Sequence, residues 1–303
     1  MSSSHPPTRM RRPLPCRSVV IGVLLLVLLP ASSGSAAPGW SERSASVAAL
    51  QIGLRVYGVY QGTVDGTSGS ATTAAVREFQ RRFGLHDDGV VGPRTRAALG
   101  LFGRPALGSR VAKRGNVGWD VAELQFRLAV HGFPSGAFDG RFGPRLDGAL
   151  RRFQRWAAIA PTGQAGHATV AALATAPPRV RIAFRSPSVV APSDGFGPRG
   201  DRFHSGIDYP ASAGSPVVAA ASGRVTWAAR LPGGWGRLVV LAHGGGLRTL
   251  YAHLSRIDVV VGQRLAAGTR LGLVGASGRS NGPHLHFEAR IRGAAVDPSP
   301  ALP

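Results

Sequence analysis

Gly282-Pro283-His284-Leu285-His286-Phe287-Glu288 is the stretch on which the reading of this chain turns. His284 and His286 alternate with Leu285 and Phe287. In a β-strand, residues two apart share a face, so the imidazoles fall on one side and the apolar pair packs the other. Two imidazoles on one buried face carry a desolvation cost unless something binds them, and a metal ion supplies that partner. Glu288 continues the histidine face, where it either bonds behind the histidines or stays on the surface.

Outward from this stretch, short Val- and Leu-rich runs alternate with Gly-rich turns, as in SPVVAAASGRVTWAA (215–229), GRLVVLAHGGG (236–246) and TRLGLVGASG (269–278). Runs of this length at this spacing predict an antiparallel all-β domain over 189–303. Five of the nine histidines lie in it, at 204, 243, 253, 284 and 286. Three local patterns stand out: HSGID with His204 and Asp208, YAHLS with His253, and the His284/His286 pair. Singly each is weak, since H-x-H is usually two ordinary strand histidines. Together, in a segment without cysteine, they point to a site built from imidazole and carboxylate. By the same alternation Tyr251 and His253 share a face, with Leu250 and Ala252 opposite; Tyr251 reads as packing, with an oxyanion pocket as the alternative. His243 reads as supporting structure. Arg199, five residues before His204, reads as a solvated surface arginine rather than a bidentate contact to a substrate carboxylate.

Upstream lies a repeat. VAALQ at 47–51 recurs as VAELQ at 121–125, VDG at 64–66 as FDG at 138–140, and EFQ at 78–80 as RFQ at 152–154, at a constant offset of 74 residues. Val47, Leu50 and Leu54, then Thr72, Ala75, Val76 and Phe79, follow helical spacing, and a third short helix is expected from Pro93 to Leu99. Each unit therefore predicts a small all-α three-helix domain, at 45–102 and 117–175, with a Pro-containing linker at 176–188. The second copy departs where Leu146 replaces Thr72 and Ile159-Ala160-Pro161 replaces Leu85-His86-Asp87.

The first 37 residues predict an export signal: a basic start with Arg9, Arg11, Arg12 and Arg17, an apolar run from Val19 to Leu29, then small residues up to Ala37. The apolar run is short of the ~20 residues that span a bilayer, so no stable membrane span is expected after cleavage. The sole cysteine, Cys16, precedes that run, leaving no disulfide framework or thiolate metal site beyond it. The net charge is +21, with Lys113 the only lysine among 36 basic residues. Such charge favours polyanions. An export signal and 7% aromatic content argue against nucleic acid, and anionic wall polymers fit the charge better.

The combined pattern GFGPR, HSGIDY, PVVAAASGRV, YAHL and GPHLHFE resembles the lysostaphin-like zinc endopeptidases over about 190–300, and the repeats resemble the three-helix peptidoglycan-binding domain. These resemblances imply a multidomain chain: two helical wall-binding domains, then a β-rich lysostaphin-type peptidase domain. They imply Zn²⁺ held by His204, Asp208 and His286, with His253 and His284 as catalytic histidines. They further imply a secreted, cell-wall-associated endopeptidase acting on peptidoglycan. The alternative is a non-catalytic activator of another wall hydrolase. A lipoyl-type carrier, which the 216–274 region also resembles, needs an attachment lysine that the domain lacks.

Overall fold

The computed structural model describes residues 44–303; the expected export signal lies outside the described residues. Among those described, no helix is long and apolar enough to cross a membrane. Six α-helices come first: α1 Ala45–Val56, α2 Ser70–Arg82, α3 Pro93–Ala98, α4 Trp119–Val130, α5 Pro144–Trp156 and α6 His167–Leu173. They form three per repeat, as the spacing predicts.

The repeated Gln and Asp-Gly positions are explained by hydrogen bonding. Gln51, buried on α1, donates to Asp65 Oδ1 at 2.8 Å and accepts from Gly66 N at 2.9 Å. Gln125 makes the same pair of bonds with Asp139 and Gly140. Gln80 ties the following turn through Asp88 and Gly89, and Gln154 through Thr162 and Gly163. Each buried amide satisfies the polar groups of a turn that could not otherwise be buried without loss. The substitution of Leu146 for Thr72 removes one partner: Gln51 reaches Thr72 Oγ1 at 3.1 Å, whereas Gln125 turns to backbone carbonyls at 3.4 Å. The two repeats are not beads on a string. Ala48, Ala49 and Ile52 of α1 share one buried cluster with Ala122, Phe126 and Ala129 of α4, and small residues let these helices approach closely.

The C-terminal half is antiparallel β, as expected. Its strands are β1 Gly197–Arg199, β2 Arg202–His204, β3 Ile207–Tyr209, β4 Pro216–Val218, β5 Gly223–Leu231, β6 Gly236–Ala242, β7 Leu247–Leu254, β8 Arg256–Ile257, β9 Arg264–Leu265, β10 Arg270–Leu273, β11 Leu285–Ile291 and β12 Ala294–Val296. The main sheet runs β12-β11-β7-β6-β5-β9, with β3 also paired to β11; β4-β10-β8 forms a smaller sheet and β1-β2 a hairpin. One face of the main sheet packs on Ile207, Val217, Leu241, Tyr251, Leu285 and Phe287, all buried. Phe287 is fully buried between Tyr251 and Phe184, with ring centroids 5.3 and 5.8 Å away. The stretch 176–188 thus contributes Phe184 to this core. The opposite face carries a smaller cluster, Leu238, Val240, Leu250 and Ala252.

Both repeats dock on the β domain. Val64 N donates to Gly200 O at 2.9 Å and Phe138 N to Asp201 O at 2.6 Å, gripping the turn of the β1–β2 hairpin. At the β11–β12 hairpin, Trp156 Nε1 donates to Ile291 O at 3.1 Å, and the Arg292 guanidinium lies 5.1 Å over the Trp156 ring. Ala295 N donates to Gly132 O at 3.1 Å. Gly132 has φ +86°, and a Cβ there would lie 2.1 Å from Ala295 O. Gly132→Ala is therefore expected to open this contact, costing roughly 2 kcal/mol or more from backbone strain alone. Limited proteolysis should then cut within 174–184 severalfold faster; an unchanged cleavage rate would show that the contact contributes little.

Candidate metal centre

The register of the main sheet brings distant motifs together. β3 pairs with β11 so that Asp208 lies directly opposite His286, and Ile207 opposite Phe287. β2 ends on His204, and the Ser205-Gly206 link swings its ring over the same point. Gly206 is required by closeness: a Cβ there would sit 2.4 Å from Phe287 O and 2.9 Å from His286 Cε1. The result is a cluster in which His204, Asp208 and His286 each offer one ligand atom, all within 4.8 Å of one another. His286 Nδ1 is 2.8 Å from Asp208 Oδ1 and 3.1 Å from His204 Nε2, and His204 Nε2 is 3.3 Å from Asp208 Oδ1.

The remaining ring nitrogens bear on the tautomers. His204 Nδ1 lies 2.8 Å from Gly195 O and 3.0 Å from an Arg199 guanidinium nitrogen; with Nδ1–H donating to the carbonyl, Nε2 presents a lone pair to the cluster. His253 Nδ1 donates to Ser277 O at 2.8 Å, and His284 Nδ1 lies 2.9 Å from Gly282 O. Both therefore leave Nε2 unprotonated when neutral. Their rings sit 4.7 Å apart, and His253 is 5.9 Å from His286. His286 Nε2 donates to Glu288 Oε1 at 3.1 Å. An imidazole backed by a carboxylate is the arrangement that orients a metal-binding histidine and raises its basicity.

Electrostatics at the cluster are set by burial against pairing. Burial works against the Asp208 charge, but with no metal bound the His204 and His286 rings donate to it and hold its carboxyl well below the usual carboxylate range. Burial likewise opposes a charged His286, yet Asp208 and Glu288 outweigh it and push the ring up to about 9. Glu288 is fully buried; burial raises its carboxyl, and the charge of Arg290 with the His286 bond outweighs that, bringing it down to about 2. His253 is pushed down, chiefly by burial. The donor set of two imidazoles and one carboxylate, converging from three strands, fits a divalent zinc ion and leaves a coordination position open. A Zn²⁺ ion here would take His204 Nε2, Asp208 Oδ1 and His286 Nδ1.

Of the two positions open to Glu288, the structure takes the one behind the histidines: it accepts from Arg290 Nε at 2.6 Å and from the Ser205 hydroxyl as well as from His286. Two sequence readings need correction. Arg199 is not merely solvated: its guanidinium donates to Asp208 Oδ2 at 2.9 Å and pairs with Asp194. Tyr251 and His253 do not share a face. Tyr251 packs in the core, its hydroxyl accepting from Ala220 N at 2.8 Å, while His253 has φ +61°, next to a register shift between β6 and β7. That turn breaks the alternation and puts His253 beside His284. His243 is structural, bonding Ser222 O and Thr249 Oγ1 at 2.8 Å each. Trp235, whose ring lies 5.7 Å from His286, carries no sequence signal beyond an aromatic in a Gly-rich turn.

Residues 202–298 match peptidase family M23, and residues 43–99 and 118–173 each match the peptidoglycan binding domain family. The C-terminal domain is an M23 peptidase domain. The M23 domain is similar to that of the DD-carboxypeptidase/endopeptidase Mpg of Neisseria meningitidis serogroup B, 50% identical over 103 residues, which are 34% of this chain and 24% of that protein. It is also similar to peptidoglycan DD-endopeptidase ShyA of Vibrio cholerae, 42% identical over 94 residues, 31% of this chain and 22% of that protein. The chain thus spans about a quarter of the length of these relatives. Among solved structures, the catalytic domain of lysostaphin from Staphylococcus simulans matches at 34% identity and a TM-score of 0.34, covering 37% of this chain and 90% of that one.

Proposed function

We propose that this protein is a secreted, cell-wall-associated zinc endopeptidase that hydrolyses peptide bonds in peptidoglycan stem peptides or cross-bridges, with the two helical repeats holding it on the wall. The observation that carries the reading is the convergence of His204 Nε2, Asp208 Oδ1 and His286 Nδ1, with the His253 and His284 rings beside it. Bound zinc supplies Lewis acidity for the scissile carbonyl and lowers the pKa of water to about 7. Asp208 contributes the single negative charge of the ligand set, so the site keeps a net positive charge. Glu288 and the Gly195 carbonyl keep His286 and His204 in the tautomers that leave a lone pair for the metal. His253 and His284, each locked through Nδ1 to a backbone carbonyl, divide the proton work: a neutral Nε2 takes the proton of the attacking water, and a protonated Nε2 gives one to the developing oxyanion or leaving amine.

Digestion of purified sacculi tests the reading. Release of peptide-cleaved muropeptides, identified by mass spectrometry, is expected to stop after chelation and return when zinc is restored. Sedimentation with sacculi of several wall types, without any cleavage, would instead favour a wall-bound activator.

A further inference from the structure

The histidine face of the main sheet continues past the metal centre into a cleft of about 470 Å³. Its floor is apolar, with Leu238, Val240 and Leu250, and its rim carries Trp227, Trp235, Arg248 and Arg290. Trp235 touches both regions, since its ring lies 5.7 Å from that of His286. Arg290 is four residues along β11 from His286, roughly 13 Å at about 3.3 Å per residue.

The charges at this far end are not balanced. Arg248 on β7 and Arg290 on β11 are direct cross-strand partners, a placement in which like charges repel. Arg290 is answered within the protein: it bonds Glu288 Oε2 at 2.6 Å and lies 5.3 Å over the Trp235 ring. The Arg248 side chain is exposed and enters no hydrogen bond or ion pair among the described residues. The same holds for the side chains of Arg152 and Arg155 on α5, which the docked second repeat brings to this end. Desolvation, then the charges of Arg290 and Arg155, push the Arg152 guanidinium down. The one buried carboxylate nearby, Glu288, is already used by Ser205, His286 and Arg290.

We infer that this end of the cleft binds a free carboxylate of a peptide laid along the histidine face, about four residues from the bond that is cut, with Arg248 as the group that recognises it. This rests on the peptidase reading and deepens it by naming the substrate class: an acidic peptide rather than a neutral glycine bridge. A carboxylate would relieve the Arg248–Arg290 repulsion, and the apolar floor beside it strengthens a charge-assisted bond relative to open water.

The test measures binding by titration calorimetry with chelator present, so that no turnover occurs. The probes are a synthetic stem peptide with free carboxylates and the same peptide fully amidated. The full-length protein is expected to bind the free peptide about tenfold more tightly. Arg248→Ala should shrink that gap to less than about twofold, Arg248→Glu should invert it, and Arg248→Lys should restore part of it. Equal affinity for both peptides in the unmodified protein, or an undiminished gap in Arg248→Ala, overturns the inference. So does Arg248-dependent binding of a phosphate-bearing wall polymer when neither peptide binds, which would assign the cluster to wall anchoring. Zinc-dependent cleavage of sacculi without carboxylate preference would sink this inference alone. Carboxylate preference without any cleavage would sink the peptidase reading alone.

Discussion

Asp208→Ala is expected to leave the β domain folded but unable to retain zinc through dialysis, with sacculus hydrolysis falling on the order of 1,000-fold. The reasoning starts from charge. Asp208 is the only anionic member of the three-atom cluster, and without it two neutral imidazoles face a dication. The loss should exceed the about 10–100-fold that removing an outer partner of a metal ligand brings. Asp208 also anchors Arg199 at 2.9 Å and sits directly across from His286, so its removal frees both rims of the site. Zinc content by elemental analysis and muropeptide release rate are the two readouts. Retention of stoichiometric zinc with near-normal hydrolysis would place the catalytic metal elsewhere.

The second large effect is expected at Glu288→Gln. This side chain is fully buried and takes three donors, His286, Arg290 and Ser205. Glutamine keeps the shape but turns one acceptor into an NH₂ group facing a donor, and it leaves Arg290 without a counter-charge. Breaking one side of a buried ion pair costs about 3–5 kcal/mol, and losing the carboxylate behind His286 should weaken zinc about 10–100-fold. Thermal unfolding and a zinc competition titration separate the two contributions. Lower stability with unchanged zinc affinity would reduce Glu288 to a packing role.

Much of this architecture is legible in the residues. The offset repeat marks two helical units because each buried glutamine must meet its own glycine-containing turn. The H-x-H pair reads correctly as a strand because Leu285 and Phe287 do pack the core. Alternation fails at His253, where a left-handed residue flips the side chain; nothing in YAHLS announces a positive φ at a histidine. It is also blind to neutralisation: alternation puts Glu288 on the histidine face but leaves its burial open, which Arg290, Ser205 and His286 decide by enclosing it. The docking of repeats on the peptidase domain is made largely of backbone groups, such as Val64 N, Gly200 O and Gly132 O, which every residue possesses and no sequence pattern can flag.

That docking has a mechanical consequence. A binding module on a slack tether raises local substrate concentration but lets the cutting site sample a sphere whose radius is set by the tether. Here the repeats grip both the β1–β2 and β11–β12 hairpins, so on the proposed function the span from a wall strand bound by a repeat to the His286 cleft would be a fixed length. Such a molecule would behave as a ruler, cutting at a set distance from its point of attachment, and lengthening the 176–188 connection would leave that distance unchanged.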